Sequence, residues 1–275
     1  MDMDDPSPPP SSSVQQRRAL HLKTIQGGAI RTLFEVLKEI VHDVRLRFDS
    51  TGVRLLTMDG SKCSCVYMKL HAKEFDEYWC PDPVEAGINM AKMFQLIKTA
   101  NSRDVVTLYM ESRDDNRLGI TIQNADSNTV TNFRLKLMDV DHAEIDIPDV
   151  KFAYVITMSS TKFQKLCRDM AGISETMTMI THGDRLVLAC NGDIAEQETV
   201  LGPADDGMKI ECSTDTKIEG KFSLKFLTLF CKASSLSQTL DLFIRKSFLL
   251  IMQYQVASLG EIRFCLAPMV VDDDA

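Results

Sequence analysis

A chain of 275 residues with 44% hydrophobic content is long enough for one large domain or two ordinary ones. No apolar run approaches the length of a membrane span, which argues against membrane insertion. The formal net charge of −8 weighs against indiscriminate nucleic-acid binding unless the basic residues are gathered locally.

Residues 1–18 open with a Pro/Ser-rich stretch that lacks the apolar core of a signal peptide, so they are expected to form a disordered tail. From Ala19 to Gln26 the residues alternate like a strand, and Gly27-Gly28 then opens a helix. Ile30, Leu33, Phe34, Leu37, Ile40 and Val41 form its apolar stripe at spacings of three and four. Val44–Phe48 alternates with period two, Asp49-Ser-Thr-Gly52 is turn chemistry, and strands return at Val53–Met58 and Cys63–Leu70. A second helix is expected over 89–100, with Asn89 as its cap, followed by strands near 104–110, 117–122 and 129–137. Lys136 to Pro148 alternates acids with small apolar residues, and Pro148 forces Ile147 to be extended, so 136–150 reads as a surface connector.

The order then repeats, with a strand at Phe152–Thr157, a helix near 160–170, strands, a helix near 221–233 and strands to Leu266. Met90–Lys98 resembles Phe222–Phe230, and Asp49–Met58 echoes Thr181–Cys190 at nearly the same spacing, which indicates duplication. The sequence therefore predicts an α+β chain of two similar domains, 19–135 and 151–271, flanking the connector, with an acidic tail at 272–275.

The eight cysteines form no CxxC pair and read as buried thiols of a reducing compartment, with Cys63 and Cys65 on one strand face. The five histidines show no ligand spacing, so neither a metal nor a cofactor is expected. Asp139 and Asp141 form a D-x-D in a loop, the place of solvated acid rather than of a nuclease centre, and no catalytic motif occurs. The chain is not expected to be an enzyme.

Basic residues are unevenly distributed. Helix 27–41 balances Arg31 and Lys38 against Glu35 and Glu39, whereas 89–100 holds Lys92 and Lys98 without an acid. Helix 160–170 holds Lys162, Lys165 and Arg168 against Asp169, and 221–233 holds Lys221, Lys225 and Lys232 without an acid. Phosphate attraction is screened beyond roughly 8 Å at physiological salt, so such local surplus outweighs the net charge. The alternative reading of each helix is an ordinary solvated face. No aromatic is interleaved and no base-reading cluster is present, so the surface suits phosphates without regard to sequence.

Gly27-Gly28-Ala-Ile-Arg-Thr-Leu-Phe-Glu-Val-Leu-Lys, Ser50-Thr-Gly-Val with Met58-Asp59, Leu135-Lys-Leu-Met-Asp-Val-Asp, Leu166-Cys-Arg-Asp169 and Leu266-Ala-Pro-Met-Val together resemble the PCNA (proliferating cell nuclear antigen) family of sliding clamps. The resemblance spans Ala19 to Asp274. It implies a DNA-clamp fold, with sheets outside and helices lining a homotrimeric ring through which double-stranded DNA passes. It places Arg31, Lys38, Lys92, Lys98, Lys165, Arg168, Lys225 and Lys232 as the DNA-facing cations. It also implies a clamp loader and a DNA polymerase, with other PIP-box proteins docking on a pocket of Met58, Lys62, Cys65, Ile145, Ile147, Pro148, Leu266, Ala267 and Pro268. Strands at 129–137 and 194–201 would meet between subunits. Other readings of the same resemblance are a subunit of a heterotrimeric checkpoint-type clamp and a non-ring processivity factor.

Departures from the family pattern bear on the pocket. Cys265 stands where the family often has an aromatic, Lys62 where it often has a neutral or histidine side chain, and 181–184 lacks a modifiable lysine. These fit a divergent clamp, such as one encoded by a large DNA virus, working in the nucleus or in a cytoplasmic viral replication compartment.

Overall fold

The computed structural model describes residues 17–59, 61–124, 126–140, 150–203, 207–214 and 216–269. Two compact units emerge, one of Met1–Thr57, Tyr67–Ile145 and Val256–Glu261, the other of Met58–Val66, Asp146–Gln255 and Ile262–Ala275.

The first unit runs β1 (Arg18–Thr24), α1 (Gly27–Ile40), β2 (Asp43–Asp49), β3 (Gly52–Met58), β4 (Ser64–His71), β5 (Glu77–Trp79), β6 (Val84–Asn89), α2 (Met90–Ile97), β7 (Val105–Glu111), β8 (Asp114–Gln123) and β9 (Val130–Lys136). The second runs β10 (Tyr154–Ser159), α3 (Ser160–Ala171), β11 (Thr176–His182), β12 (Arg185–Asn191), β13 (Glu196–Leu201), β14 (Lys209–Cys212), β15 (Ile218–Ser223), α4 (Leu224–Phe230), β16 (Thr239–Ile244), β17 (Leu250–Val256) and β18 (Gly260–Leu266). The two successions of helix and strand are the same, element for element. So is the pairing. The orders β5-β1-β7-β8-β9 and β4-β3-β2-β6 recur as β14-β10-β16-β17-β18 and β13-β12-β11-β15. The fold is α+β, as the sequence predicts.

Local chemistry explains these elements. Asp49 Oδ1 accepts from the Thr51 N–H at 2.8 Å, closing the β2–β3 turn. Gly52 completes that turn at φ +135, where a Cβ would lie 1.9 Å from Leu70 O, so no other residue fits there. Helix α1 buries Ile30, Leu33, Phe34 and Leu37, the stripe read from its periodicity. The Asn89 side chain caps α2 by accepting from the Lys92 N–H at 3.0 Å, and Ser159 Oγ does the same for α3 from Lys162 N–H at 3.4 Å.

The cores are built in parallel. In the first unit α1 packs on α2, with Leu33, Leu37, Met93 and Ile97 wholly buried. In the second, α3 packs on α4 through Phe163, Cys167, Leu227 and Phe230. Phe264 stacks on Phe230 with centroids 4.9 Å apart and meets Tyr254 edge-on at 6.0 Å.

Two expectations need correction. Lys221 lies on β15, opposite Thr178 of β11, rather than on a helix, and α4 begins only at Leu224. Met90 therefore corresponds to Leu224, not to Phe222, because Asn89 and Ser223 are the matching cap positions. All eight cysteines are free thiols, but Cys63 and Cys212 are exposed rather than buried. Cys63 sits in the turn ahead of β4, and Cys212 ends the short edge strand β14.

Candidate nucleic-acid interface and docking surface

Each helix turns its apolar stripe to the sheets and its basic residues away from them. On α2, Met90, Met93 and Ile97 are buried while Lys92, Gln95 and the following Lys98 are exposed. On α3, Phe163, Cys167 and Met170 are buried while Lys165 and Arg168 are exposed. On α4, Leu224, Leu227 and Phe230 are buried and Lys225 is exposed, while Lys232 is exposed in the 3-10 turn Cys231–Ser235 that follows. Among the described residues, no ion pair involves Lys92, Lys98, Lys165, Arg168 or Lys225.

Helix α1 differs. Lys38 Nζ lies 2.6 Å from Glu39 Oε1 and 4.7 Å above the Phe94 ring, so its charge is already engaged. Arg31 is half-buried, and its Nε has no hydrogen-bond partner among the described residues. The sequence spacing of Arg31 and Lys38 is right for a shared face, but their surroundings differ from those of the other six cations.

The candidate docking residues lie largely in the second unit, because Met58–Val66 packs there. Ala267 N–H donates to Cys63 O at 2.9 Å, which lays the end of β18 beside the start of β4. In the first unit, His71 N–H donates to Leu259 O at 2.8 Å, the same pairing at the other ends of the two strands. The turn before β4 is organised by Asp59. Its carboxylate accepts from Ser64 N–H at 2.6 Å, from Ser61 N–H at 3.0 Å and from Ser61 Oγ. Burial pushes the Asp59 carboxyl up, but these hydrogen bonds outweigh it and hold the group below the ordinary range. Lys62 occupies the left-handed position of that turn at φ 58 and is exposed.

Met58 is 40% exposed, and Ala267 and Pro268 are half-buried, so all three are available to a ligand. Leu266 is only 2% exposed and supports this surface from beneath. Cys65 and Cys265 are buried with Ile251 in one cluster, covered by the half-buried Phe152, Phe243 and Leu249. Phe152 meets Phe243 edge-on at 5.3 Å and Phe248 at 6.1 Å. Sequence reading missed these aromatic and apolar residues. Ile145, Ile147 and Pro148 lie outside the described residues. Beside the cluster a groove of about 350 Å³ opens between β15 and the β16–β17 turn, lined by Phe222, Phe248, Leu249, Pro268 and Met269 among others. Met269 N–H donates to Lys221 O at 2.7 Å, which holds Met269 beside β15.

A duplicated sheet-and-helix unit, with cations on the outer side of its helices and an apolar surface where β4 meets β18, defines a clamp-type protein. Comparison with known proteins gives the family. Residues 19–145 match the proliferating cell nuclear antigen N-terminal domain and residues 146–269 the C-terminal domain. Over 254 residues the chain is 40% identical to the probable DNA polymerase sliding clamp 1 of Paramecium bursaria Chlorella virus 1, covering 91% of this chain and 97% of that protein. It is 29% identical over 261 residues to the proliferating cell nuclear antigen of Chaetomium thermophilum, covering 93% of this chain and 100% of that protein. The chain belongs to the proliferating cell nuclear antigen family. It is a sliding clamp, which works by holding its partners and not by catalysis.

Proposed function

We propose that three copies of the chain close into a ring around duplex DNA and tether a DNA polymerase and other PIP-box proteins to it. The observation that carries the ring is a pair of unused edges. Among the described residues, β9 and β13 end their sheets with one neighbour each, β8 and β12. Their counterparts in the duplicated order, β18 and β4, are paired with each other already. Repeating that pairing between chains joins β9 of one copy to β13 of the next, satisfies both rows of backbone groups and closes when the copies return to the start. Val130 on β9 and Val200 on β13, 52% and 53% exposed, would then be covered.

The exposed cations of α2, α3 and α4 face the duplex in this reading. Their contacts are to phosphates, which hold a duplex without fixing its register, and this leaves the ring able to slide. The surface around Phe152, Leu249 and Pro268, together with the connector residues Ile145, Ile147 and Pro148, receives the apolar anchors of PIP-box peptides. A loader opens the ring, and the work takes place where the DNA is copied, in the nucleus or a viral replication compartment. Native mass spectrometry of the chain alone tests the assembly. Three copies are expected, and a single copy at micromolar concentration refutes the homotrimer. Ile147→Ser is expected to weaken a PIP-box peptide in calorimetry with the ring intact, and equal affinity refutes the pocket.

A further inference from the structure

We propose that Cys65 and Cys265 form an oxidisable thiol pair, which a hydroperoxide converts to a disulfide beneath the docking surface. The chemistry rests on the pair alone, while its consequence for docking rests on the proposed peptide site.

The geometry comes from the strand register. Cys63 O accepts from Ala267 N–H and His71 N–H donates to Leu259 O, so β4 and β18 run antiparallel. Stepping two residues inward from Cys63 and two back from Ala267 puts Cys65 directly opposite Cys265. Opposed residues of a hydrogen-bonded antiparallel pair have Cα atoms about 5.5 Å apart, inside the 4.4–6.8 Å range that a disulfide spans. Their side chains share one cluster with Ile251. The Cβ atoms of such a pair lie about 5.5 Å apart and must draw together by about 1–2 Å, so the bond is one that reductants reopen.

The two thiols also share a hydrogen bond, which lets one sulfur give up its proton while the other donates to it. The Cys265 S–H hydrogen bond to Cys65 holds the Cys65 thiol below the ordinary range, against burial and the Asp59 carboxylate, which push it up. That same bond raises Cys265. Cys65 is therefore the thiolate that attacks and Cys265 the thiol that resolves. The Cys65 sulfur attacks one peroxide oxygen, the O–O bond breaks, and the departing oxygen takes a proton from solvent. Cys65 is left as a sulfenic acid. The Cys265 sulfur then attacks the Cys65 sulfur and expels hydroxide, which leaves as water with the Cys265 proton. Two electrons pass from the two thiols to the peroxide.

Access is what separates this pair from Cys167 and Cys231. Those two are wholly buried between α3 and α4, and Cys167 is raised by its hydrogen bond to Cys231 and by burial. Cys65 and Cys265 lie under a single layer of half-buried side chains, Phe152, Phe243 and Leu249. Drawing the two sulfurs together moves this layer, which is the floor offered to a docking peptide.

The test uses the full reduced chain, exposed to hydrogen peroxide, freed of excess oxidant and mapped by non-reducing peptide mass spectrometry. A Cys65–Cys265 cross-link is expected, reversed by dithiothreitol, retained in Cys63→Ser and lost in Cys65→Ser and Cys265→Ser. Oxidation that stops at Cys63, or a cross-link made to Cys63, overturns the proposal. If a Cys65 or Cys265 variant does not fold, the maps of the natural chain and of Cys63→Ser decide. Calorimetry with a PIP-box peptide is run on the reduced and the cross-linked chain, with a loss of affinity of about fivefold or more expected. Equal affinities overturn the coupling to docking. A reduced chain that binds no peptide refutes the docking site and leaves the thiol pair to be judged by its map.

Discussion

Replacing Lys92, Lys165 and Lys225 together by alanine separates phosphate contact from ordinary surface charge. All three are exposed on helices whose opposite faces are buried, and among the described residues none is in an ion pair. Their removal is expected to change stability by no more than about 0.5 kcal/mol. Each cation that neutralises a duplex phosphate contributes about 0.9 to the slope of log K against log salt. With one copy of each in contact, the slope flattens by about 2.7, and between 50 and 200 mM salt this amounts to about a 40-fold smaller loss of affinity. The assay is fluorescence anisotropy of a labelled duplex titrated at several salt concentrations. Lys217→Ala is the control, because Lys217 lies 3.0 Å from Glu219 and off the helices. A slope unchanged from the natural chain, with the variant folded, refutes the assignment of these helices to DNA. A slope that changes as much in Lys217→Ala refutes it too, since net charge alone would then explain the effect.

Three further outcomes follow from the fold. Val130→Asp with Val200→Asp places like charges on the β9 and β13 edges and is expected to shift the mass in solution from three copies to one; an unchanged mass removes β9 and β13 from the interface. Phe264→Ala removes a wholly buried ring stacked on Phe230, at an expected cost of about 3–5 kcal/mol by denaturant unfolding, and a cost below 1 kcal/mol contradicts the packing. His21 sets a pH dependence: burial lowers it from 6.5 more than its hydrogen bond to Glu77 raises it. The unfolded chain therefore binds a proton first, and stability falls as pH drops below 6.5, with loss of the lowered Glu77 adding to this below 4.5. His21→Gln is expected to flatten the upper part of that decline, and an identical pH profile refutes the role of His21.

Helix α1 was legible in the sequence because burial fixes it: the Ile30-to-Leu37 stripe faces the sheets as its spacing requires. Helix α4 was misplaced at its start because Phe222 and Leu224 fit both a period-two and a helical pattern, and only pairing with β11 assigns Lys221–Ser223 to a strand. The edge strands β5 and β14 have three and four residues, too few to carry a pattern. The candidate docking surface came from the family resemblance, carried over residue by residue to Met58, Ile145, Ile147, Pro148, Leu266, Ala267 and Pro268. Phe152, Phe243 and Leu249 went unseen because they precede β10, sit in β16 and precede β17 respectively, and only the fold brings them to Cys65 and Cys265.

The same distinction sorts the eight cations. Spacing places all of them on helix faces or just beyond a helix end, but only surroundings decide which are available to a phosphate. Lys38 gives part of its charge to Glu39 and lies over Phe94, so its stem and ammonium help pack α1 on α2. To contact a phosphate in the proposed ring it would exchange the Glu39 carboxylate for it, at a cost of about 1 kcal/mol or less. Lys92 on α2, Lys98 just past its end, Lys165 and Arg168 on α3 and Lys225 on α4 have no ion-pair partner among the described residues. A clamp that must hold DNA without stopping on it needs contacts that are numerous and individually weak. In the proposed ring the exposed cations of α2, α3 and α4 suit that need, whereas Lys38 on α1 is already engaged by Glu39 and Phe94.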